Sequence, residues 1–90
     1  MLKDKLTIVI PCKNEEKYIA HLLNSLHEQT NIEGVKIIIA DISTDNTRQV
    51  IEENKKDLDV VVIEGGPVSK AKNNGANLVT TPYILFIDSD

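Results

Sequence analysis

Four short apolar runs alternate along the chain with segments of helical periodicity. The runs cover residues 6–10, 35–40, 60–63 and 83–87, and each is rich in β-branched side chains. Their apolar residues are nearly continuous rather than alternating, which is typical of strands covered on both faces of a parallel sheet. The pattern therefore predicts four buried parallel strands.

The segment after the first run has the spacing of one face of an amphipathic helix. Apolar residues recur there at i, i+3, i+4 and i+7, namely Ile19, Leu22, Leu23 and Leu26. Such a stripe packs against a sheet or another helix. Asn14 precedes it and is a suitable N-cap. We therefore expect a first helix between the first two strands.

Two further helices are expected after the second and third runs. Ser43 or Thr44 is the predicted N-cap of the second helix, and Ser69 that of the third. The predicted inner face of the third helix is Ala71, Gly75, Leu78 and Val79. Pro82 ends the third helix, because proline disfavours a helical conformation in the residue before it. The alternating order with short connections predicts an α/β fold, with four parallel strands and three helices in a three-layer, Rossmann-like arrangement.

The composition is that of one small globular domain and excludes several classes of function. The 90 residues are 41% hydrophobic, which is too apolar for a disordered chain. A net charge of -4 and only three aromatic residues argue against a nucleic-acid partner, which needs a basic surface or stacking platforms. The single cysteine, Cys12, excludes an internal disulfide. Since no apolar run approaches the roughly 20 residues of a membrane span and no signal peptide is recognisable, we expect a cytoplasmic protein.

Acidic residues follow the ends of the predicted strands, where open parallel sheets bind their ligands. Asp41 ends the second run, Glu64 follows the third, and Asp88 and Asp90 follow the fourth. Carboxylates crowded at one edge repel each other unless a cation or a donor-rich ligand balances them. Two carboxylates spaced as in Asp88 and Asp90 can reach one hard divalent ion such as Mg²⁺ or Mn²⁺. A polar loop without a metal is the alternative.

Three other candidates also have two interpretations each. Asp41 is either a turn-forming residue or an acceptor for a base N–H or a ribose hydroxyl. Glu15 either stabilises the N-terminus of the first helix or borders a ligand. Lys72 is either a solvated lysine or a cation that neutralises a diphosphate. The residues alone leave these alternatives open, and neither a dinucleotide-binding G-x-G-x-x-G nor a P-loop is present.

Four segments in order along the chain, residues 7–16, 41–47, 69–76 and 84–90, together resemble the motifs of the inverting family 2 glycosyltransferases, which have the GT-A fold. TIVIPCKNEE, residues 7–16, resembles the opening V-I-P-x-x-N-E-E, and DISTDNT, residues 41–47, resembles D-D-G-S-T-D-x-T. SKAKNNGA, residues 69–76, is similar to S-x-A-R-N-x-G. ILFIDSD, residues 84–90, is similar to the strand that ends in the D-x-D metal motif. Together the segments cover nearly the whole chain.

The resemblance implies a site for a nucleoside diphosphate sugar of the UDP or GDP type. Pro11 and Glu15 are expected to border the base, and Asp41 to contact the base or the ribose. Lys72 stands where the family's arginine faces the nucleotide. Asp88 and Ser89 are expected to approach the ribose.

The metal and the strand order also follow from the resemblance. Asp88 and Asp90 are expected to hold Mg²⁺ or Mn²⁺, which neutralises the leaving diphosphate. The strands are expected in the order 3-2-1-4. Three positions depart from the family's pattern, since Ala40 and Ile42 replace an aspartate and a glycine, and Lys72 replaces an arginine and loses its planar fork.

The resemblance further implies that residues 1–90 are the N-terminal, nucleotide-binding half of a longer domain. The acceptor region and the catalytic base are then absent, so we expect this chain to bind nucleotide without transferring sugar. Its parent would act in the cytoplasm, at the inner face of the membrane. The fourth strand, residues 83–87, would form a bare apolar edge that favours a homodimer. A receiver-like phospho-signalling domain, a haloacid-dehalogenase-type phosphatase and a non-catalytic assembly module are the alternatives.

Overall fold

The computed structural model describes residues 2–29, 31–65 and 73–88. Its four strands are β1 (Leu6–Cys12), β2 (Lys36–Asp41), β3 (Asp59–Glu64) and β4 (Tyr83–Phe86). They form one sheet in the order β3-β2-β1-β4 with every pair parallel. The four predicted strands and their order are confirmed.

Among the described residues, two helices and the helical residues 73–76 lie between the strands. Helix α1 covers Glu16–His27 and α2 covers Thr47–Asn54, while a short 3-10 helix, Leu2–Asp4, precedes β1. Residues 73–76 are helical, and Ser69, the predicted cap of the third helix, lies outside the described residues. No helix among the described residues is both long and apolar enough to cross a membrane.

Both faces of the central strands are covered, which gives the predicted three layers. On one face, α1 buries Ile19, Leu23 and Leu26 against β1 and β2, together with Ile51 of α2. On the other face, the helical turn at residues 73–76 lies close to β1, because a Cβ added at Gly75 would overlap the side chain of Val9. The apolar periodicity of α1 and the inward placement of Gly75 are therefore confirmed. The inward placement of Leu78 is wrong, because Leu78 follows the helical residues 73–76 and is 50% exposed.

The two outer strands are more exposed than the sequence predicted. All residues of strand β3 are exposed or half-buried, and all four residues of β4 are exposed. Each has a paired strand on one side only, so its side chains receive less cover than those of β1 and β2. The prediction of strands buried on both faces is wrong for β3 and β4, whereas the predicted bare edge at β4 is confirmed.

The predicted caps of the first two helices are also wrong. Asn14 is not the N-cap of α1, since Glu15 takes that position without a side-chain cap, and α2 begins after Asn46 rather than after Ser43 or Thr44. The residues that were expected to cap instead bond across the gap between two loops, as described below. Local spacing alone cannot distinguish a cap from such a long-range contact.

Candidate functional site

The strands β1, β2 and β3 end together at one edge of the sheet. In the register, Cys12 is paired with Asp41, and Asp41 with Glu64. Two loops leave this edge, and we call them loop 1 (residues 13–15, after β1) and loop 2 (residues 42–46, after β2). The carboxyl edge thus brings together the polar residues that follow three strands, which is where open α/β sheets bind ligands.

Asp41 is a fully buried carboxylate, with a side-chain exposure of 0%. Its Oδ1 accepts hydrogen bonds from the backbone N–H and the hydroxyl of Ser43. Its Oδ2 accepts from Arg48 Nε at 2.8 Å, and its backbone oxygen accepts from Arg48 Nη2 at 3.2 Å. A buried charge is tolerated when it is paired and hydrogen-bonded in this way.

Arg48 extends the network to the end of β3. Its Nη2 donates to Glu64 Oε1 at 3.0 Å, so one guanidinium joins the ends of β2 and β3. The hydrogen bond with Asp41 and then that with Glu64 raise the pKa of Arg48 above its ordinary value, and the guanidinium stays cationic. Its side chain is 49% exposed, so the positive charge faces solvent at this edge.

Loop 1 and loop 2 are hydrogen-bonded to each other through Asn14. The backbone N–H of Asn14 donates to Ser43 Oγ at 2.7 Å, and Thr44 N donates to Asn14 Oδ1 at 2.9 Å. Asn14 has a left-handed backbone with φ of 51°, which asparagine tolerates better than most residues. The reciprocal pair fixes the position of both loops.

Two further bonds connect the first turns of α1 and α2. Glu15 N donates to Thr47 Oγ1 at 3.2 Å, and Asn46 N donates to Glu16 Oε1 at 3.0 Å. The hydroxyl of Thr47 in turn donates to Asp45 Oδ1. This bond is the main cause that lowers the pKa of Asp45, so the carboxylate is charged at neutral pH. Asp45 therefore connects the end of loop 2 to the first turn of α2.

The structure brings three of the predicted site residues to one edge. Pro11 is buried near the end of β1, Glu15 is half-buried in loop 1, and Asp41 ends β2. Asp88 is exposed after β4, two residues beyond Phe86, which pairs with Val9 of β1. Asp88 thus follows β4 toward the same edge.

The remaining predicted site residues, Lys72, Ser89 and Asp90, lie outside the described residues. Within residues 2–29, 31–65 and 73–88, no three of the histidine, cysteine, aspartate and glutamate side chains are grouped so that they could hold a metal ion. Since Asp90 is outside that part of the chain, the predicted metal pair of Asp88 and Asp90 stays a prediction.

Sequence reasoning missed Arg48, Asn14 and Thr47 as site-forming residues. Arg48 is the chain's single arginine, seven residues after a buried aspartate, and this spacing was the signal that could have identified it. The roles of Asn14 and Thr47 depend on contacts about 30 residues away in the sequence, and the sequence carries no local sign of them.

A depression lies at the opposite edge of the sheet. It has a volume of about 330 Å³ and is lined by residues that include His27, Gly34 and Asp57. His27 Nδ1 is 2.8 Å from Asp57 Oδ1. No strand end of the kind that binds ligands in open α/β sheets lies there, so the carboxyl edge is the stronger candidate.

Comparison with known proteins decides the family. The sequence model described as "Glycosyl transferase family 2" matches residues 7–90. The chain belongs to glycosyl transferase family 2. This assignment confirms the resemblance found in the sequence, and the parallel sheet with its 3-2-1-4 order is consistent with part of a GT-A domain.

Several bacterial glycosyltransferases are similar to this chain. It is 39% identical to the poly(ribitol-phosphate) beta-N-acetylglucosaminyltransferase TarS of Staphylococcus aureus, over 96% of the chain and 16% of that protein. It is 40% identical to the poly(ribitol-phosphate) beta-glucosyltransferase of Bacillus spizizenii, over 96% of the chain and 15% of that protein. It is 33% identical to the processive diacylglycerol beta-glycosyltransferase of Mycoplasma genitalium, over 97% of the chain and 28% of that protein. The chain therefore spans less than a third of the length of each.

Proposed function

We propose that this chain binds the nucleoside diphosphate sugar donor of a glycosyltransferase that transfers sugar with inversion. The observation that carries the proposal is the pair of loops fixed to each other around Asp41 at the carboxyl edge of the sheet. A preorganised polar edge of this kind binds a ligand at a lower cost in ordering than mobile loops do. Family membership and the three glycosyltransferase relatives support the same function.

The donor's base and ribose are proposed to lie over the ends of β1 and β2. Pro11 and Glu15 border the base, and Asp41 lies at the base or the ribose. Lys72 faces the diphosphate, and Asp88 and Ser89 approach the ribose. A UDP or GDP donor suits this arrangement, because both nucleosides present several hydrogen-bonding atoms to a polar edge.

A divalent ion, Mg²⁺ or Mn²⁺, fits the chemistry of the residues after β4. Asp88 is an exposed carboxylate, and hard cations prefer carboxylate oxygens together with substrate phosphates. With Asp90 it would hold the ion, which neutralises charge on the leaving diphosphate when bound.

Residues 1–90 are proposed to form the donor half of a larger catalytic domain. The chain covers 16% of the TarS protein that it resembles, so the acceptor site and the catalytic base are assigned to sequence outside these 90 residues. On this proposal the 90-residue chain binds nucleotide without transferring sugar. The parent protein is proposed to act in the cytoplasm, at the inner face of the membrane.

Titration of the ¹⁵N-labelled chain with UDP and with GDP in the presence of Mg²⁺ tests the donor site. We expect backbone amide shifts concentrated in residues 12–15, 41–48 and 88–90. Replacing Mg²⁺ by paramagnetic Mn²⁺ should broaden the signals of residues 88–90 most. Shifts centred on the depression beside His27 and Asp57 would contradict the site, and the absence of any shift would contradict nucleotide binding.

We also propose that β4 pairs with a second copy of the chain. Its side chains are exposed and apolar, from 38% at Ile84 to 66% at Tyr83, and flat apolar edges pair readily with other strands. Sedimentation should show dimers that Ile84→Lys abolishes. Val61→Lys is the matched control, because Val61 is also 38% exposed but lies on β3 at the other edge. A monodisperse monomer at high concentration would contradict the dimer.

A further inference from the structure

The Asp41 carboxylate has little capacity left for a ligand. Its side chain is fully buried, its Oδ1 receives two donors from Ser43, and its Oδ2 receives Arg48 Nε. A carboxylate oxygen accepts about two hydrogen bonds in good geometry. A nucleotide could contact Asp41 directly only by entering a space that Arg48 and Ser43 already occupy.

Arg48, in contrast, keeps donors that are not used within the chain. The guanidinium carries five N–H groups in one plane. Nε and Nη2 form one edge of that plane, and both donate to Asp41, while Nη2 also donates to Glu64. Within the described residues, Nη1 has no recorded hydrogen-bond partner. It lies on the other edge of a half-exposed group that Asp41 holds in a fixed orientation.

We propose that Arg48 is a nucleoside-contacting residue and that Asp41 is the positioning residue that orients it. Arg48 Nη1 donates to an acceptor oxygen of the nucleoside, of the kind that base carbonyls and ribose hydroxyls offer. This inference rests on the proposed nucleotide site and reassigns the contact at the end of β2 from the carboxylate to the guanidinium. The end of β2 then recognises hydrogen-bond acceptors on the nucleoside, whereas a contact with the Asp41 carboxylate would recognise donors.

Two features of the network make Arg48 suited to this role. Fixing Nε and Nη2 in a planar fork orients Nη1 without further loss of side-chain freedom. The guanidinium is cationic at physiological pH, and hydrogen bonds from charged donors are stronger than neutral ones. Lysine cannot reproduce the arrangement, because its single ammonium cannot bond Asp41 side-on and also present a second edge to a ligand.

The side-chain NMR signals of Arg48 test the inference directly. Since Arg48 is the only arginine in the chain, its Nε–H correlation is identified without assignment and disappears in Arg48→Lys. On titration with UDP and Mg²⁺ we expect the Nη signals to shift and sharpen, while Nε–H keeps its hydrogen-bonded shift. If Nε–H loses that shift, Arg48 is displaced and Asp41 contacts the ligand, which overturns the inference.

The backbone signals in the same titration separate this inference from the proposed function. Unmoved Arg48 side-chain signals with shifted amides in residues 12–15 would overturn the Arg48 contact and leave the nucleotide site standing. No shift anywhere would overturn both.

Affinity measurements with matched variants provide the second test. Arg48→Lys should weaken UDP binding about tenfold or more, the loss expected for a hydrogen bond from a charged group. Glu52→Gln is the control, because it breaks an exposed ion pair with Lys55 on the same helix and should leave affinity unchanged. Equal affinities for the wild type and Arg48→Lys would overturn the inference. If Asp41 positions Arg48, Asp41→Asn should weaken UDP binding and the Arg48 Nε–H signal should also lose its hydrogen-bonded shift.

Discussion

The ends of β1 and β2 and the end of β4 lie on the same edge of one sheet, but they are organised differently. Loop 1 and loop 2 are held by reciprocal bonds between Asn14 and the segment that contains Ser43 and Thr44. Strand β4 is paired with β1 alone, and all of its side chains are exposed. The first region is preorganised by its own residues, whereas the second is supported on one side only.

The difference arises from position in the sheet. Strands β1 and β2 lie at the centre and are covered by α1 and α2 on one face, so their buried apolar residues fix the backbone that carries the loops. Strand β4 lies at the edge. We therefore expect substitutions at the centre to affect stability and nucleotide binding, and equivalent substitutions in β4 to affect association.

The largest contrast is expected for isoleucines in the two regions. Ile39→Ala in β2, where the residue is fully buried, should cost about 3–4 kcal/mol of unfolding free energy, because it leaves a cavity in a packed core. Ile84→Ala in β4, where the residue is 38% exposed, should cost under about 1 kcal/mol. Urea unfolding of both variants measures the difference. Equal losses would show that β4 is as well packed as β2.

Removing the negative charge at the centre of the network should have the next largest effect. Asp41→Asn keeps the shape of the side chain and weakens its bonds with Arg48 and Ser43, so we expect a loss of about 2–3 kcal/mol. Glu64→Gln is the control at the exposed end of the same arginine and should change stability by under about 0.5 kcal/mol. Chemical denaturation of both variants is the measurement. The account fails if the two variants are equally stable.

Substitutions of Asn14 separate its two contributions, backbone conformation and side-chain bonding. Asn14→Gly should lose about 1 kcal/mol through the missing acceptor for Thr44 N, while its left-handed backbone stays relaxed. Asn14→Ala should lose about 1 kcal/mol more, because alanine is strained at positive φ. Thermal melting of both variants is the check, and a glycine variant less stable than the alanine variant would contradict the assignment.

The smallest expected effect concerns pH and Asp45. Its pKa is lowered from 3.8 in the folded chain, first by the hydrogen bond from Thr47. A carboxyl group whose pKa is lower in the folded than in the unfolded state stabilises the fold at any pH above its unfolded pKa. This stabilisation is lost as the pH falls through the folded pKa. The stability difference between the wild type and Asp45→Asn should therefore be constant near pH 7 and shrink below about pH 4. A stability difference that grows toward low pH would contradict a lowered pKa of Asp45 in the folded chain.

The sequence predicted the parts of this fold that depend on local patterns. Continuous apolar runs located all four strands, and the spacing of Ile19, Leu23 and Leu26 predicted the buried face of α1 correctly. The strand order came from the family resemblance, which the match over residues 7–90 confirms. The apolar runs and the apolar stripe of α1 repeat at short intervals, so they can be identified in a single sequence.

The features that sequence reasoning missed depend on tertiary contacts and on position in the sheet. Asn14 was interpreted as a cap because an asparagine before a helix usually caps it, but its partners come from loop 2. The apolar runs of β2 and β4 look alike in the sequence, but β2 is buried and β4 is exposed. The difference arises because β2 lies at the centre of the sheet and β4 at its edge. Arg48 went unnoticed because its one local sign, the seven-residue spacing from Asp41, does not show that the turn after β2 brings the two side chains together, and Glu64 lies 16 residues away in the sequence.

A crystal structure of the chain with UDP and Mn²⁺ tests the central claim most directly. We expect density for the nucleoside over the ends of β1 and β2, with an acceptor oxygen within hydrogen-bond distance of Arg48 Nη1 and the Asp41–Arg48 pair intact. Density for UDP in the depression beside His27 and Asp57, with the carboxyl edge empty, would contradict the claim.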